Sequence, residues 1–272
     1  MGCKSGTIEV PIVDSTKMGC DYQFNESALI SNGWTKTFED NFDADLSKWN
    51  IWNSGAYNNE LQLYQASNLE LLNGVLTIKA KKETVSGATL PTNSTIKKFD
   101  YSSGRIESKT TISANSTTPK IRIIARMQLP KGYGMWPAFW SYGDPWPTQG
   151  EIDYVEARGN NTFQYLTNYY YGSNSGVIFN EDNTGFINTV ADLSACFHVY
   201  EFEWTQTSLN SYLDGKLVES KKSGNHITDL FGKNENIVFN LAVGGGFFPN
   251  LNPALIEPGN MYIDWVKVFA SK

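Results

Sequence analysis

Eight short stretches of this 272-residue chain alternate apolar with polar side chains, a period of two that fits an extended strand and not a helix. They are "GVLTIKAKK" (74–82), "SGRIESKTTI" (103–112), "KIRIIARMQL" (120–129), "YVEA" (154–157), "FHVYEFEW" (197–204), "LNSYLDGKLVES" (209–220), "NIVFNLAVGG" (236–245) and "MYIDWVKVFA" (261–270). β-Branched and aromatic residues dominate them, and turn residues bound them. The Asp214-Gly215 pair predicts a tight hairpin, because both residue types tolerate the positive φ that such turns require. No amphipathic helix of three turns is evident, and "NHITDLFG" (225–232) predicts one short helical turn. The fold class that follows is all-β, a sandwich of two antiparallel sheets. Length alone allows one large domain or two average ones. Residues 1–32 are polar and lack sustained periodicity, so they read as an N-terminal tether, with the domain occupying 33–272.

Composition excludes several functions. The net charge of −6 and the lack of a long basic run argue against a nucleic-acid partner. No segment has the roughly 20 apolar residues of a membrane span. Cys3, Cys20 and Cys196 are too scattered for a compact zinc site, and two histidines, His198 and His226, cannot make a clustered one. Cys20 and Cys196 could pair in an exported protein. His198 reads as a packed structural histidine. The opening "MGCKSG" resembles the start of a mature lipoprotein, a lipid-bearing Cys3 followed by a polar tether, or else a free cysteine in a frayed end. The expected location is extracellular or at the cell surface or periplasm. The chain is expected to be a monomer.

The chemistry is concentrated in "GEIDYVEARG" (150–159), where Glu151, Asp153 and Glu156 fall within six positions. On a regular strand the first two share a face and the third points away. One inserted residue at Tyr154 and Val155, a β-bulge, would bring all three to one face. Such an array fits a solvated edge, a calcium loop or a pair of catalytic carboxyls. Retaining glycoside hydrolysis needs two carboxyl groups roughly 5 Å apart, one as nucleophile and one as acid. Strand geometry puts Cα atoms four steps apart on the order of 13 Å from each other, a gap that two convergent glutamates can narrow. Asp153 between them can keep one carboxyl charged and the other protonated. Upstream, "GYGMWPAFWSYGDPWPTQG" supplies Trp136, Trp140, Trp146, Phe139 and Tyr142, flat faces of the kind on which pyranose rings stack.

Together these residues resemble glycoside hydrolase family 16, in its laminarinase-like branch. The resemblance rests on "WPAFWSYGDPWPTQGEIDYVE" (136–156), supported in order by "YNNELQLY" (57–64), "SSGRIESK" (102–109), "FHVYEFEW", "FNLAVGGG" (239–246) and "YIDWVKV" (262–268), and it covers about 34–270. It implies a concanavalin A-like jelly-roll sandwich with a concave substrate cleft. The implied activity is retaining endo-hydrolysis of β-1,3- or mixed β-1,3/1,4-glucans, without a catalytic cofactor. Glu151 would be the nucleophile, Asp153 the assisting acid and Glu156 the general acid/base. Two residues between Asp153 and Glu156 match the laminarinase-like form, whereas lichenases have one. The resemblance also implies substrate contacts from Asn59, Arg105, Trp136, Trp140, Trp146, Asn168, Tyr170 and Asn240. It further implies a structural calcium ion on Asp264, with backbone oxygens of Asn41 and Gly74.

Two departures bear on specificity. Laminarinase-like members carry a histidine in the next strand, where this chain reads "FQYLTNYYYGSNSG" (163–176). A tryptophan common after "AVGG" is replaced by Phe247 and Phe248. Other readings are a galactan-cleaving relative acting on agar or carrageenan, a transglycosylase, or a non-catalytic lectin on the same sandwich. The lectin reading has no use for paired glutamates.

Overall fold

A computed structural model describes residues 19–178, 180–181, 186–222 and 226–272. Two large sheets pack face to face, and their inward-pointing residues alternate with outward ones along each strand. The cleft sheet contains β1 (Trp49–Ile51), β2 (Arg105–Ile112), β3 (Met135–Tyr142), β4 (Glu151–Arg158), β5 (Asn161–Tyr171) and β6 (Glu235–Val243). Across the sheet they run β5-β4-β3-β6-β2-β1, all antiparallel, with two two-residue strands added at β5. The back sheet is built around Lys120–Gln128, which lies between His198–Thr205 and Gly259–Ser271. It continues through the long hairpin Val75–Leu90 and Asn93–Ser103. That hairpin ends in a parallel pairing of Gln62–Tyr64 with Tyr101–Ser103.

Between the sheets the core is aliphatic and aromatic. Phe139 and Phe239 stack at 4.6 Å, and Tyr154 packs 4.8 Å from Phe139 and from Phe202, on the opposite sheet. The expected hairpin turn falls at Asp214 and Gly215, with φ of 48° and 73°, and the expected helical turn spans Ile227–Leu230. His198 is fully buried, its Nδ1 2.7 Å from Asp214 Oδ2, as befits a structural histidine.

The reading of 1–32 as a tether departs from the structure from Gly19 onward. Cys20 is bonded to Cys196, and Glu26–Ser31 forms a helix capped by Asn25, whose side chain accepts from Ala28 N at 2.9 Å. Leu29 on that helix joins Ile124, Val199 and Phe269 in a small apolar cluster on the outer face of the back sheet. Six residues are too few to show a 3.6-residue period, so the helix leaves little trace in the sequence pattern. Cys3 and the "MGCKSG" segment lie outside the described residues.

Candidate active site

β4 carries the bulge that the acidic spacing requires. Against β5, Asp153 pairs with Asn168 and Glu156 with Leu166; against β3, Asp153 pairs with Trp140 and Val155 with Phe139. One extra residue is accommodated at Tyr154–Val155, and both of those side chains are buried. Glu151, Asp153 and Glu156 therefore share the face that opens away from the core.

The neighbouring strands present the same face. In β3 it carries Trp136, Trp140 and Tyr142; in β6, Asn240; in β2, Arg105; in β5, Asn168 and Tyr170, which stand opposite Asp153 and Glu151. Seven of the eight residues expected to touch substrate lie on these strands or, for Trp146, on the loop between β3 and β4. Asn59 is exposed in a left-handed turn at the cleft margin.

Each glutamate is held by an indole. Trp146 Nε1 donates to Glu151 Oε2 at 2.5 Å, and Trp136 Nε1 donates to Glu156 Oε1 at 2.9 Å. Asp153 is 3% exposed and its Oδ2 has no hydrogen-bond partner. Burial first, then the charges of Glu156 and Glu151, push its carboxyl well above the usual range. Burial and the charge of Glu156 push Glu151 up to about 8, against the pull of Trp146 and Arg105. Burial pushes Glu156 up to about 7; Trp136 and Arg158 oppose this, and Glu60 adds to it. The two glutamates interact, so they lose their protons in two successive steps, and between those steps the pair shares one proton.

Arg105 forms the other pole of the site. It is 7% exposed, with its guanidinium 3.9 Å from the Trp52 ring centroid and 4.9 Å from that of Trp140, and it lies 3.5 Å from Glu107. Stacking between rings fixes its planar fork and presents a cation to the cleft floor. Asn240 Oδ1 accepts from Trp140 Nε1 at 2.7 Å, and its amide donates to Tyr64 Oη at 3.1 Å. Asn168 donates to Tyr170 Oη at 3.0 Å.

Two elements escaped the sequence reading. Glu60 turns inward beside the exposed Asn59 and accepts from Gln62 Nε2 at 2.7 Å and Tyr64 Oη at 3.0 Å. Its signal was present in "YNNELQLY", where the choice between adjacent polar residues was open. Trp52 stacks on Arg105. Phe247 stacks on Trp136 with centroids 4.7 Å apart, and Arg158 lies 4.4 Å from the Phe247 ring centroid. The phenylalanine in the position of the family tryptophan thus braces a cleft indole.

The residues expected to hold calcium divide between two environments. A Cβ placed on Gly74 would lie 2.8 Å from Asp43 Oδ1 and 3.6 Å from the Asn41 carbonyl oxygen, so those two residues do approach each other. Asp264 is engaged elsewhere: its Oδ2 accepts from Arg126 at 2.5 Å, and the guanidinium already balances its charge. As placed, the carboxylate meant to anchor the ion does not fit that role. Among the described residues, the one side-chain cluster with metal-ligand spacing is Cys20, Cys196 and His198, and both its thiols are consumed in the disulfide.

The comparisons agree with this geometry. The family model described as "Glycosyl hydrolases family 16" matches residues 56–267. A glucan endo-1,3-beta-glucosidase of Cryptopygus antarcticus is 32% identical over 245 residues, covering 81% of this chain and 84% of that protein. Glucan endo-1,3-beta-glucosidase A1 of Niallia circulans is 29% identical over 97% of this chain, which spans only 39% of that longer protein. The laminarinase catalytic domain of Thermotoga maritima superposes with a TM-score of 0.69 at 27% identity, covering 88% of this chain and 99% of that one. With the sandwich, the bulged acidic strand and a family match over most of its length, the chain belongs to the family 16 glycoside hydrolases.

Proposed function

We propose that the protein is a retaining endo-glucanase that cleaves β-1,3-glucans and mixed β-1,3/1,4-glucans. The observation that carries the reading is the bulge in β4, which gathers Glu151, Asp153 and Glu156 on one face, each glutamate held by an indole N–H.

In the first step the Glu151 carboxylate attacks the anomeric carbon while Glu156 gives its proton to the glycosidic oxygen. The C–O bond breaks, the aglycone leaves as an alcohol, and the sugar is held as an ester on Glu151. Glu156, now a carboxylate, takes a proton from water; the resulting attack on the same carbon breaks the ester and regenerates both groups. Two inversions give net retention. Burial favours the protonated form of Asp153, and in that form it can donate a hydrogen bond to a neighbouring glutamate without adding a third charge. The aromatic faces of Trp136 and Trp140 supply stacking for pyranose rings, and Arg105 with Asn240 supplies polar contacts to hydroxyls.

The disulfide between Cys20 and Cys196 supports export to an oxidising compartment. Among the described residues, no helix is long and apolar enough to cross a membrane. Cell-surface attachment through Cys3 belongs to the same proposal. A structural calcium ion would need Asp264 released from Arg126, and the reaction above uses none.

The test is to incubate the protein with laminarin, barley β-glucan, lichenan, xyloglucan, agarose and carrageenan, and to analyse the linkage and anomer of the first products. Oligosaccharides released from laminarin or β-glucan as the β-anomer support the proposal. Release only from agarose or carrageenan, inverted products, or no release from any glucan would overturn it. Glu151→Gln should abolish hydrolysis, and Glu156→Ala should turn over only substrates with good leaving groups.

A further inference from the structure

Three polar side chains stand in the core beneath the catalytic strand, and the reaction described above uses none of them. Tyr154 of β4, Ser141 of β3 and Glu235 of β6 are all buried. Ser141 Oγ donates to Glu235 Oε2, and because a hydroxyl has one proton, the Tyr154 phenol is the donor to Ser141 Oγ. The relay Tyr154–Ser141–Glu235 thus crosses three adjacent strands of the cleft sheet on the face opposite the cleft. Placing a carboxyl and two hydroxyls in an apolar core costs free energy that aliphatic side chains would not. Hydrogen bonds add direction in return: they fix one register where apolar contacts tolerate others.

The two ends of the relay meet the two ends of the reactive segment. At one end Tyr154 is the inserted residue: Asp153 pairs with Trp140 and Val155 with Phe139, so Tyr154 stands opposite no residue of β3. Tyr154 and Val155 both join the core, and only the phenol can make the bond to Ser141 that tells them apart. Which of the two is the extra residue sets the direction in which Glu156 leaves the strand. At the other end Glu235 lies against Gly150, the residue before Glu151. A Cβ on Gly150 would stand 2.7 Å from Glu235 Oε1 and 2.8 Å from Leu230 Cδ2, and its φ is 82°. The Gly150 carbonyl accepts from Gly143 N at 3.2 Å, which ties this end to the chain leaving β3.

We infer that Tyr154, Ser141 and Glu235 are positioning residues: their relay clamps the segment 150–154 from the core side and so fixes the separation and direction of Glu151 and Glu156. This rests on the assignment of those two glutamates as the reacting pair. Glu151 follows Gly150 directly and Glu156 follows the bulge, so a shift at either end moves one carboxyl relative to the other. Retaining chemistry needs the two within a narrow range of distance, and a small misplacement of a reacting group is costly in rate. Trp146 and Trp136 hold the carboxyl tips from the cleft side, and the relay holds the backbone that carries them from beneath.

The experiment measures kcat, KM and thermal unfolding for wild type, Tyr154→Phe, Ser141→Ala, the double variant and Glu235→Gln, on whichever glucan of the panel above gives the highest turnover. Tyr154→Phe removes one oxygen atom and keeps the ring packed on Phe139 and Phe202, so it carries the test even where another variant fails to fold. It should lower kcat by about tenfold or more, with KM within about twofold of wild type. Ser141→Ala should do the same, and the double variant should fall little further, because each change breaks the same relay. Glu235→Gln keeps an acceptor for Ser141 and should retain more turnover than Tyr154→Phe. A lower melting temperature in Tyr154→Phe with kcat unchanged, a rise in KM alone, or losses that multiply in the double variant would overturn the inference and leave the relay as core packing. Full activity in Glu151→Gln sinks the reading of the reacting pair itself. A wild type silenced by Glu151→Gln, with kcat unmoved in Tyr154→Phe, sinks only the clamp.

Discussion

Replacing Glu151 by glutamine should destroy activity and raise stability at once. The carboxyl is partly buried beside Glu156, and its pKa rises from 4.5 to about 8 on folding. A carboxyl whose folded pKa lies above its unfolded value costs nothing below the unfolded pKa. The penalty then grows with pH and is complete above the folded pKa. At pH 7 the gap above 4.5 corresponds to about 3 kcal/mol as an upper figure. Partial exposure and the sharing of one proton with Glu156 reduce that to about 1–2 kcal/mol. Glutamine keeps the shape and can still accept from Trp146 Nε1, so little is lost in exchange. For a domain of this size each kcal/mol moves Tm by about 2–4 °C, so Glu151→Gln should melt roughly 3–6 °C above wild type at pH 7. At pH 4, where both states hold the proton, the difference should vanish. Thermal unfolding followed by circular dichroism at the two pH values is the assay. A variant no more stable than wild type at pH 7, or equally stabilised at both, would refute the reasoning that the cleft carboxyls sit under electrostatic strain.

Two further outcomes follow from the geometry. Arg105→Met should lower kcat/KM by about 10–100-fold, the loss of a charge-assisted hydrogen bond, and should shift the acid limb of the pH profile upward, because the cation that favours charge on Glu151 is gone. Cys20→Ser opens a link of sequence separation 176, for which chain entropy gives at most about 5 kcal/mol. Because the link ties down only the end of the chain, the loss should appear as faster hydrogen exchange in 20–34, with glucan hydrolysis unchanged. Loss of activity in that variant would refute a purely structural role for the disulfide.

The sandwich was legible because antiparallel strands with one face in the core must alternate, and each of the eight alternating segments coincides with a strand or, for 209–220, with two strands joined by the turn at Asp214 and Gly215. The site was legible for a narrower reason. The spacing of Glu151, Asp153 and Glu156 cannot share a face without a bulge, and no other local device restores it so economically. Other features depended on distant partners. Asp264 meets Arg126 across 138 residues of sequence, which no local pattern announces. In "YNNELQLY" the positive φ of Asn58 and Asn59, 59° and 57°, decides which polar side chain turns inward, and that favoured Glu60 over Asn59. The helix Glu26–Ser31 is held by a disulfide, one leucine and the ion pairs of Glu26 with Lys36 and Lys267, none of which has a period.

The docking of Gly19 to Trp34 on the back sheet sets an orientation. The cleft opens from one side of the sandwich, and this segment is clamped to the other, with two sheets about 10 Å apart between them. A partner that gripped residues 20–34 would hold the protein by its back. The cleft would then face away from the point of attachment, open along its whole length.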